Sequence, residues 1–360
     1  MVTAETAAGR AVRGGSTASG SVLDDAAPLA EVIRGDLVES VHLGHLVVLD
    51  PSGRPVVQVG NPTTPVWPRS SLKPVQLLAM LRAGLELPDR LLALASASHN
   101  GERFHLEGVL QILGSVGLGV DALQNTPDLP LHPPAALEWH MAPLAGGPGP
   151  ASLTQNCSGK HAAMLATCLT QGWDIETYLS PEHPLQRAVR STVLELTGDA
   201  EVVMHTTVDG CGAPLFSTTL LGLARAFSTL GAAPTEDVRS HEARAARAIS
   251  AHPDMVGGTG RDVTLAMQAV PGLVAKDGAE GVYAAGLPDG SALAFKVLDG
   301  SARARPAILA AALRAAGAAG LPGVYPGGLD GLGRVPVLGG GRPVGEVRAV
   351  FAGAYGEARR

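Results

Sequence analysis

The chain has 360 residues, 46% hydrophobic and 17% charged, with 27 Lys and Arg against 33 Asp and Glu for a net charge of −6. There is ample material for a core, and no excess of basic residues to make a face for nucleic acid or an anionic membrane. Aromatics at 3% leave no platform for base stacking, and no uninterrupted apolar stretch approaches the roughly 18 residues of a membrane-spanning helix.

The opening run, MVTAETAAGRAVRGGSTASGSVLDD, has no apolar segment of the secretory type and is small, polar and rich in Gly and Ser. Residues 1–27 are therefore expected to form a disordered tail. Cys157, Cys168 and Cys211 are odd in number, so they cannot all pair within the chain. Together with the lack of a signal this predicts reduced thiols in the cytoplasm.

Two groups of strands lie near opposite ends of the chain. Ser40–Leu49 and Pro55–Val59 flank the turn Asp50-Pro51-Ser52-Gly53 and read as a hairpin. Residues 272–276, 281–287 and 292–299 are separated by Asp277-Gly278 and Pro288-Asp289-Gly290-Ser291 and read as a meander. Between them, Leu72–Gly84, Phe104–Gly114, His161–Gln171, Leu185–Thr197, Leu215–Gly231 and Thr235–Ala251 carry helical spacing. The Pro-rich span Thr126–Pro150 reads as a long ordered loop, and Ala302–Ala318 as a further helix. Leu321–Arg360 shows Gly/Pro turns and a strand-like stretch at 347–351. The expected fold is α+β: an antiparallel sheet built from both chain ends, about 38–60 and 270–351, packed against a helical lobe over about 70–268. Residues 28–360 would form one catalytic domain, with a cleft between sheet and lobe.

Ser70-x-x-Lys73 opens the first of these helices, and a spacing of three puts both side chains on one face. A serine hydroxyl needs a base to become nucleophilic, and a lysine serves once burial or nearby positive charge lowers its pKa. Ser71 is the alternative nucleophile, but its spacing to Lys73 turns it away. Taken alone the motif is also what a helix-capping serine and a solvated lysine look like. Ser98-His99-Asn100 and Lys276-Asp277-Gly278 follow in the order Ser-x-x-Lys, Ser-x-Asn, Lys-x-Gly, the layout of active-site serine β-lactamases and penicillin-binding proteins.

A second constellation is Asn156-Cys157-Ser158-Gly159-Lys160-His161 with Asp209-Gly210-Cys211-Gly212. Cys168 sits in an apolar run and fits a core role, whereas Cys157 and Cys211 lie in polar, Gly-rich segments. Thiols beside Lys160, with His161 or Asp209 near, suit a soft divalent metal or a reactive cysteine.

With Arg69-Ser70-Ser71-Leu72-Lys73-Pro74, Ala97-Ser98-His99-Asn100-Gly101-Glu102, the two cysteine strings and Gly278-Ala279-Glu280-Gly281-Val282, the chain resembles the rhizobial-type, thermolabile L-asparaginase family from about Pro28 to Phe351. The resemblance implies a serine β-lactamase-like fold, a homodimer, and hydrolysis of L-asparagine to L-aspartate and ammonia. It implies Ser70 as nucleophile, Lys73 as its base, and Ser98 and Lys276 completing the proton network. Cys157, Lys160 and Cys211 would hold zinc, which tunes substrate affinity without being strictly required for catalysis. Arg69, Asn100, His161 and Asp209 are the implied substrate-binding residues, with Arg69 or Lys276 available for the α-carboxylate and Asp209 for the ammonium group. Asn100 stands where the family often has a second serine, which leaves the fine substrate preference open. The competing readings are a glutaminase or penicillin-recognising acyl enzyme on the same scaffold, and a non-catalytic zinc- or redox-sensing module using Cys157 and Cys211.

Overall fold

The computed structural model describes residues 21–141, 149–201 and 204–351. The chain opens with strands β1 (Ala27–Arg34), β2 (Leu37–Leu49), β3 (Pro55–Val59) and β4 (Pro65–Val66). Helices α1 (Lys73–Arg82), α2 (Asp89–Ala95), α3 (Arg103–Ser115), α4 (Pro133–Met141), α5 (Ser158–Gln171) and α6 (Pro184–Thr197) follow. Short strands β5 (Thr206–Val208), β6 (Pro214–Phe216) and β7 (Thr218–Thr219) lead to α7 (Leu220–Glu236), α8 (His241–Ala251), α9 (Pro253–Val256) and α10 (Asp262–Ala269). The chain returns through β8 (Val274–Asp277), β9 (Val282–Gly286), β10 (Ala292–Val297), α11 (Arg305–Ala315), α12 (Pro326–Gly333), β11 (Val335–Gly339) and β12 (Arg342–Ala349).

The main sheet runs β11-β12-β1-β2-β10-β9-β8, antiparallel at every pairing, so both chain ends build it as expected. The 13-residue β2 is its spine. One edge of β2 pairs first with β1 and then with β3, while the other edge takes β10. Every residue of β8 and β9 is buried. Side chains on a strand alternate between faces, so the sheet is covered on both sides at this end. Helix α7 packs on β9 and β10, and α11 lies against β1, β10 and β12. Contact with α7 is close enough that a Cβ on Gly286 would fall 1.8 Å from the Phe227 carbonyl oxygen. No side chain fits there.

Two helices of the lobe are buried almost all round. Residues 73–81 of α1 and 158–168 of α5 are buried without interruption, the pattern of a helix enclosed by others rather than one with a wet face. Helices α6 and α8 pack on α1, and α2 and α3 on α5. Both buried helices begin at the same place, the cleft facing the end of β8.

Several expectations need correction. Residues 21–26 form a turn with the first residue of β1 at Ala27, and the Val22 carbonyl accepts from His45 Nε2 at 2.8 Å. This part of the expected tail is thus held by its turn and by the bond to His45, with β-pairing starting at Ala27, while 1–20 lie outside the described residues. Pro133 and Pro134 start α4 inside the span read as a loop, because Pro suits the first turn of a helix. Helix α7 starts at Leu220 rather than Leu215, since Thr219 caps it by accepting from the Gly222 N–H. Residues 214–216 and 218–219 are strands instead. The segment from Leu321, where only a strand-like stretch at 347–351 was legible, supplies α12, the edge strand β11 and its neighbour β12.

Candidate active site

Ser70 sits in a 3-10 turn, Arg69–Leu72, that leads directly into α1. The residue before it, Arg69, holds φ at +53°, a left-handed conformation that costs a side-chain-bearing residue about 1 kcal/mol or more. Arg69 Nε donates to Asp209 Oδ1 at 2.7 Å, and that carboxylate also accepts from the Gly210 N–H. Burial opposes ionisation of Asp209, but Lys160 and Arg69 outweigh it and hold its pKa below the usual value. Gly278, just after β8, presses on this turn: a Cβ there would lie 2.7 Å from the Pro68 carbonyl oxygen. The Lys-x-Gly triplet therefore needs its glycine for close approach to the serine turn.

Lys73 is buried at 1% exposure. Its ammonium donates to the Ala97 carbonyl, to Ser98 Oγ at 3.0 Å and to Cys157 Sγ at 3.1 Å. All three N–H bonds are used, and none goes to Ser70, whose hydroxyl makes no hydrogen bond among the described residues. Ser71 is fully buried and donates to the Pro68 carbonyl at 2.6 Å, so it is spent on the turn.

Ser70, Ser98, Arg69, Asp209, Cys157 and Cys211 all line one cavity of about 330 Å³. Arg261, Asp277, Gly278 and Arg305 complete one wall, and Asp128, Gln155 and Asn156 another.

Cys157 caps α5 and Lys160 lies in its first turn. Lys160 Nζ donates to Cys211 Sγ at 3.2 Å. A hydrogen bond from Cys157 and the charge of Lys160 pull the Cys211 thiol down to about 4, against burial. The Cys157 thiol donates to Asn156 Oδ1 at 3.0 Å, and the ammonium of Lys160 favours the charged form of Cys211. Among the described residues no group of three or more His, Cys, Asp or Glu is placed to hold a metal. The donor set here is two sulfurs and one amine.

The remaining sequence candidates sit behind the cavity wall. Lys276 is fully buried and donates to its neighbour Asp277, at 2.7 Å to the carbonyl and 2.6 Å to Oδ1. Burial pulls it down to about 8, outweighing the attraction of Asp277, with Lys73 adding to the drop. His161 Nδ1 pairs with Tyr178 Oη at 2.8 Å, its Nε2 is buried without a partner, and burial holds the ring neutral. Asn100 donates to Glu102 and to the Thr259 carbonyl and accepts from Arg261, tying down the loop before α10.

Sequence reasoning missed four of the lining charges. Asp277 is the unassigned middle of its triplet, and Asp128, Arg261 and Arg305 belong to none of the motifs.

These features define an α+β protein whose cleft gathers a serine turn, a buried serine–lysine pair and a thiol–amine cluster at the starts of two central helices. A family model described as L-asparaginase II matches residues 30–349. The chain belongs to the L-asparaginase II family, which makes it an asparaginase-type amidohydrolase at family level. No curated protein matches it at a significant level. Among solved structures it is similar to a β-lactamase from Mycobacterium bovis, at 14% identity over 72% of this chain and 88% of that one, with a TM-score of 0.38. It is also similar to EstCE1, titled a hydrolase with promiscuous acyltransferase activity, at 13% identity over 76% and 93%, TM-score 0.38. Overlaps this loose carry no weight for mechanism.

Proposed function

We propose that the protein hydrolyses L-asparagine to L-aspartate and ammonia through an ester on Ser70. The carrying observation is the 3.0 Å bond between Lys73 Nζ and Ser98 Oγ at the wall of the cavity that Ser70 also lines. Lys73 is the base that takes the proton of Ser70, with Ser98 as the hydroxyl connecting lysine to cleft. Ser70 Oγ bonds to the side-chain amide carbon, and the C–N bond breaks as the nitrogen receives a proton and leaves as ammonia. Water then cleaves the ester to release aspartate. The α-ammonium group meets Asp209, which Arg69 holds in place and which stays ionised.

Cys157, Lys160 and Cys211 are the residues that would hold zinc, and the low pKa of Cys211 fits a soft cation. When bound, the ion supplies a fixed positive charge beside the substrate and tunes its affinity. To join that set Lys160 would have to be a neutral amine, whereas without the ion the thiols and Asp209 favour its charged form despite burial. A homodimer in the cytoplasm belongs to the same reading, and no helix among the described residues is long and apolar enough to cross a membrane. The test is ammonia release from asparagine and glutamine beside nitrocefin turnover, each with and without a chelator. Asparagine turnover exceeding the other two supports the reading, and nitrocefin as the preferred substrate would replace it.

A further inference from the structure

A cluster of five charges stands at one wall of the cleft, with Arg261, Asp277 and Arg305 lining it and Lys276 and Asp262 behind. Lys276 and Arg261 both contact Asp277, with Arg261 Nη2 on Oδ2. Arg305 Nε meets Asp262 Oδ2 at 3.1 Å, and its Nη1 reaches Asp277 Oδ2 only at 3.5 Å, the outer limit of a hydrogen bond. Three cations therefore face two carboxylates.

The groups are not equally hidden. Lys276 is sealed off at 0% side-chain exposure, Asp277 shows 5% and Asp262 9%, while Arg305 shows 12% and Arg261 21%. The surplus positive charge thus lies on the two guanidiniums, both of which line the cavity. A surplus charge in so enclosed a place is costly unless an anion arrives to meet it. Arg305 is also the first residue of α11, an 11-residue helix whose N-terminus adds positive potential.

The opposite wall has the other sign. Asp209 and Asp128 lie there, with Arg69 committed to Asp209. Of the two cations that the sequence offered for the α-carboxylate, Arg69 is matched one to one by Asp209 and Lys276 does not reach the cavity, whereas Arg261 and Arg305 line it and share Asp277 and Asp262 with Lys276.

We infer that Arg261 and Arg305 form the α-carboxylate subsite, and that they set the preference for a free amino acid over a simple amide. A guanidinium presents a planar fork matched to a carboxylate. The zwitterion then lies across the cleft with its carboxylate on this wall and its ammonium on the acidic one. This assignment rests on the asparaginase reading and deepens it.

The test compares L-asparagine with 3-aminopropanamide, the same β-amide without the α-carboxylate, in wild type, Arg261→Gln and Arg305→Gln. Arg261→Gln leaves two cations with two carboxylates, so the cluster stays balanced. In each variant the ratio of kcat/KM for asparagine to that for 3-aminopropanamide falls roughly 10- to 100-fold, mainly through KM, the scale of one charged hydrogen-bond pair. Equal losses on both substrates would show a structural role and overturn the inference. Should the variants not fold, inhibition of wild type decides instead: L-aspartate binds at least about 10-fold more tightly than β-alanine, its decarboxylated counterpart. Equal inhibition constants would overturn the subsite. If wild type releases no ammonia from asparagine at all, the asparaginase reading itself has failed and this inference falls with it.

Discussion

Lys276 lends itself to a quantitative test because its environment is so lopsided. It is fully buried, its one carboxylate partner Asp277 is shared with Arg261 and Arg305, and its pKa falls from 10.5 to about 8. The unfolded chain keeps this proton up to about pH 10.5, and the folded protein loses it near 8. Between those values the unfolded state binds more protons, so stability rises with pH. The full drop corresponds to about 3 kcal/mol. Cys157, pushed up to about 12 by its hydrogen bond with Cys211 and by burial, works in the opposite sense above pH 9. The wild-type curve alone would mix the two effects. Lys276→Met isolates the lysine: it keeps the volume and leaves Arg261 and Arg305 to balance Asp277 and Asp262. Urea unfolding at about pH 7.5 and pH 10 should show wild type gaining about 2 to 3 kcal/mol on the variant as pH rises. Parallel curves would refute the claim that burial dominates at Lys276.

Further expectations concern the site's supports. Ser98→Ala should cut kcat for ammonia release about 100-fold, because Lys73 loses the hydroxyl that links it to the cleft; an unchanged kcat in steady-state assay would remove Ser98 from the proton path. Asp209→Asn should raise KM for asparagine about 10-fold with a smaller effect on kcat, since both Arg69 and the ammonium lose their partner. Gly258 holds φ at +112°, and a Cβ there would lie 2.5 Å from both Asn100 Nδ2 and Glu102 Oε2. Gly258→Ala should therefore lower stability by about 2 kcal/mol or more in denaturant unfolding. Dialysis against a chelator should raise KM while sparing kcat, and a matching loss of kcat would give the metal a direct part in turnover.

What the sequence revealed and what it hid follow from how local each signal was. The strands β2, β3 and β8 to β10 were legible because Pro/Gly turns punctuate apolar runs. β1 was obscured by its place beside a polar tail and by the mixed run Glu31-Val32-Ile33-Arg34. β11 is an edge strand and β12 lies between it and β1, and both have many exposed positions and Gly turns, so they lack the apolar signature of central strands. At the site, the closeness of Lys73 to Ser98 could be anticipated from the order of three short motifs. The buried places of Lys276, Asn100 and His161 could not be anticipated. Each belongs to a cleft-like motif, but its polar atoms are turned to other groups: Lys276 to the next residue Asp277, Asn100 to Glu102 and the Thr259 carbonyl, and His161 to Tyr178. The Arg261–Asp277–Arg305 wall is the extreme case, since it joins three segments with no pattern in common.

The most direct test of the central claim is ammonia release from L-asparagine by wild type and by Ser70→Ala, with circular dichroism confirming that both are folded. The account predicts turnover by wild type and a loss of about 10⁴-fold in the variant, as expected when a covalent nucleophile is removed. A folded Ser70→Ala protein that turns over asparagine at the wild-type rate would contradict it.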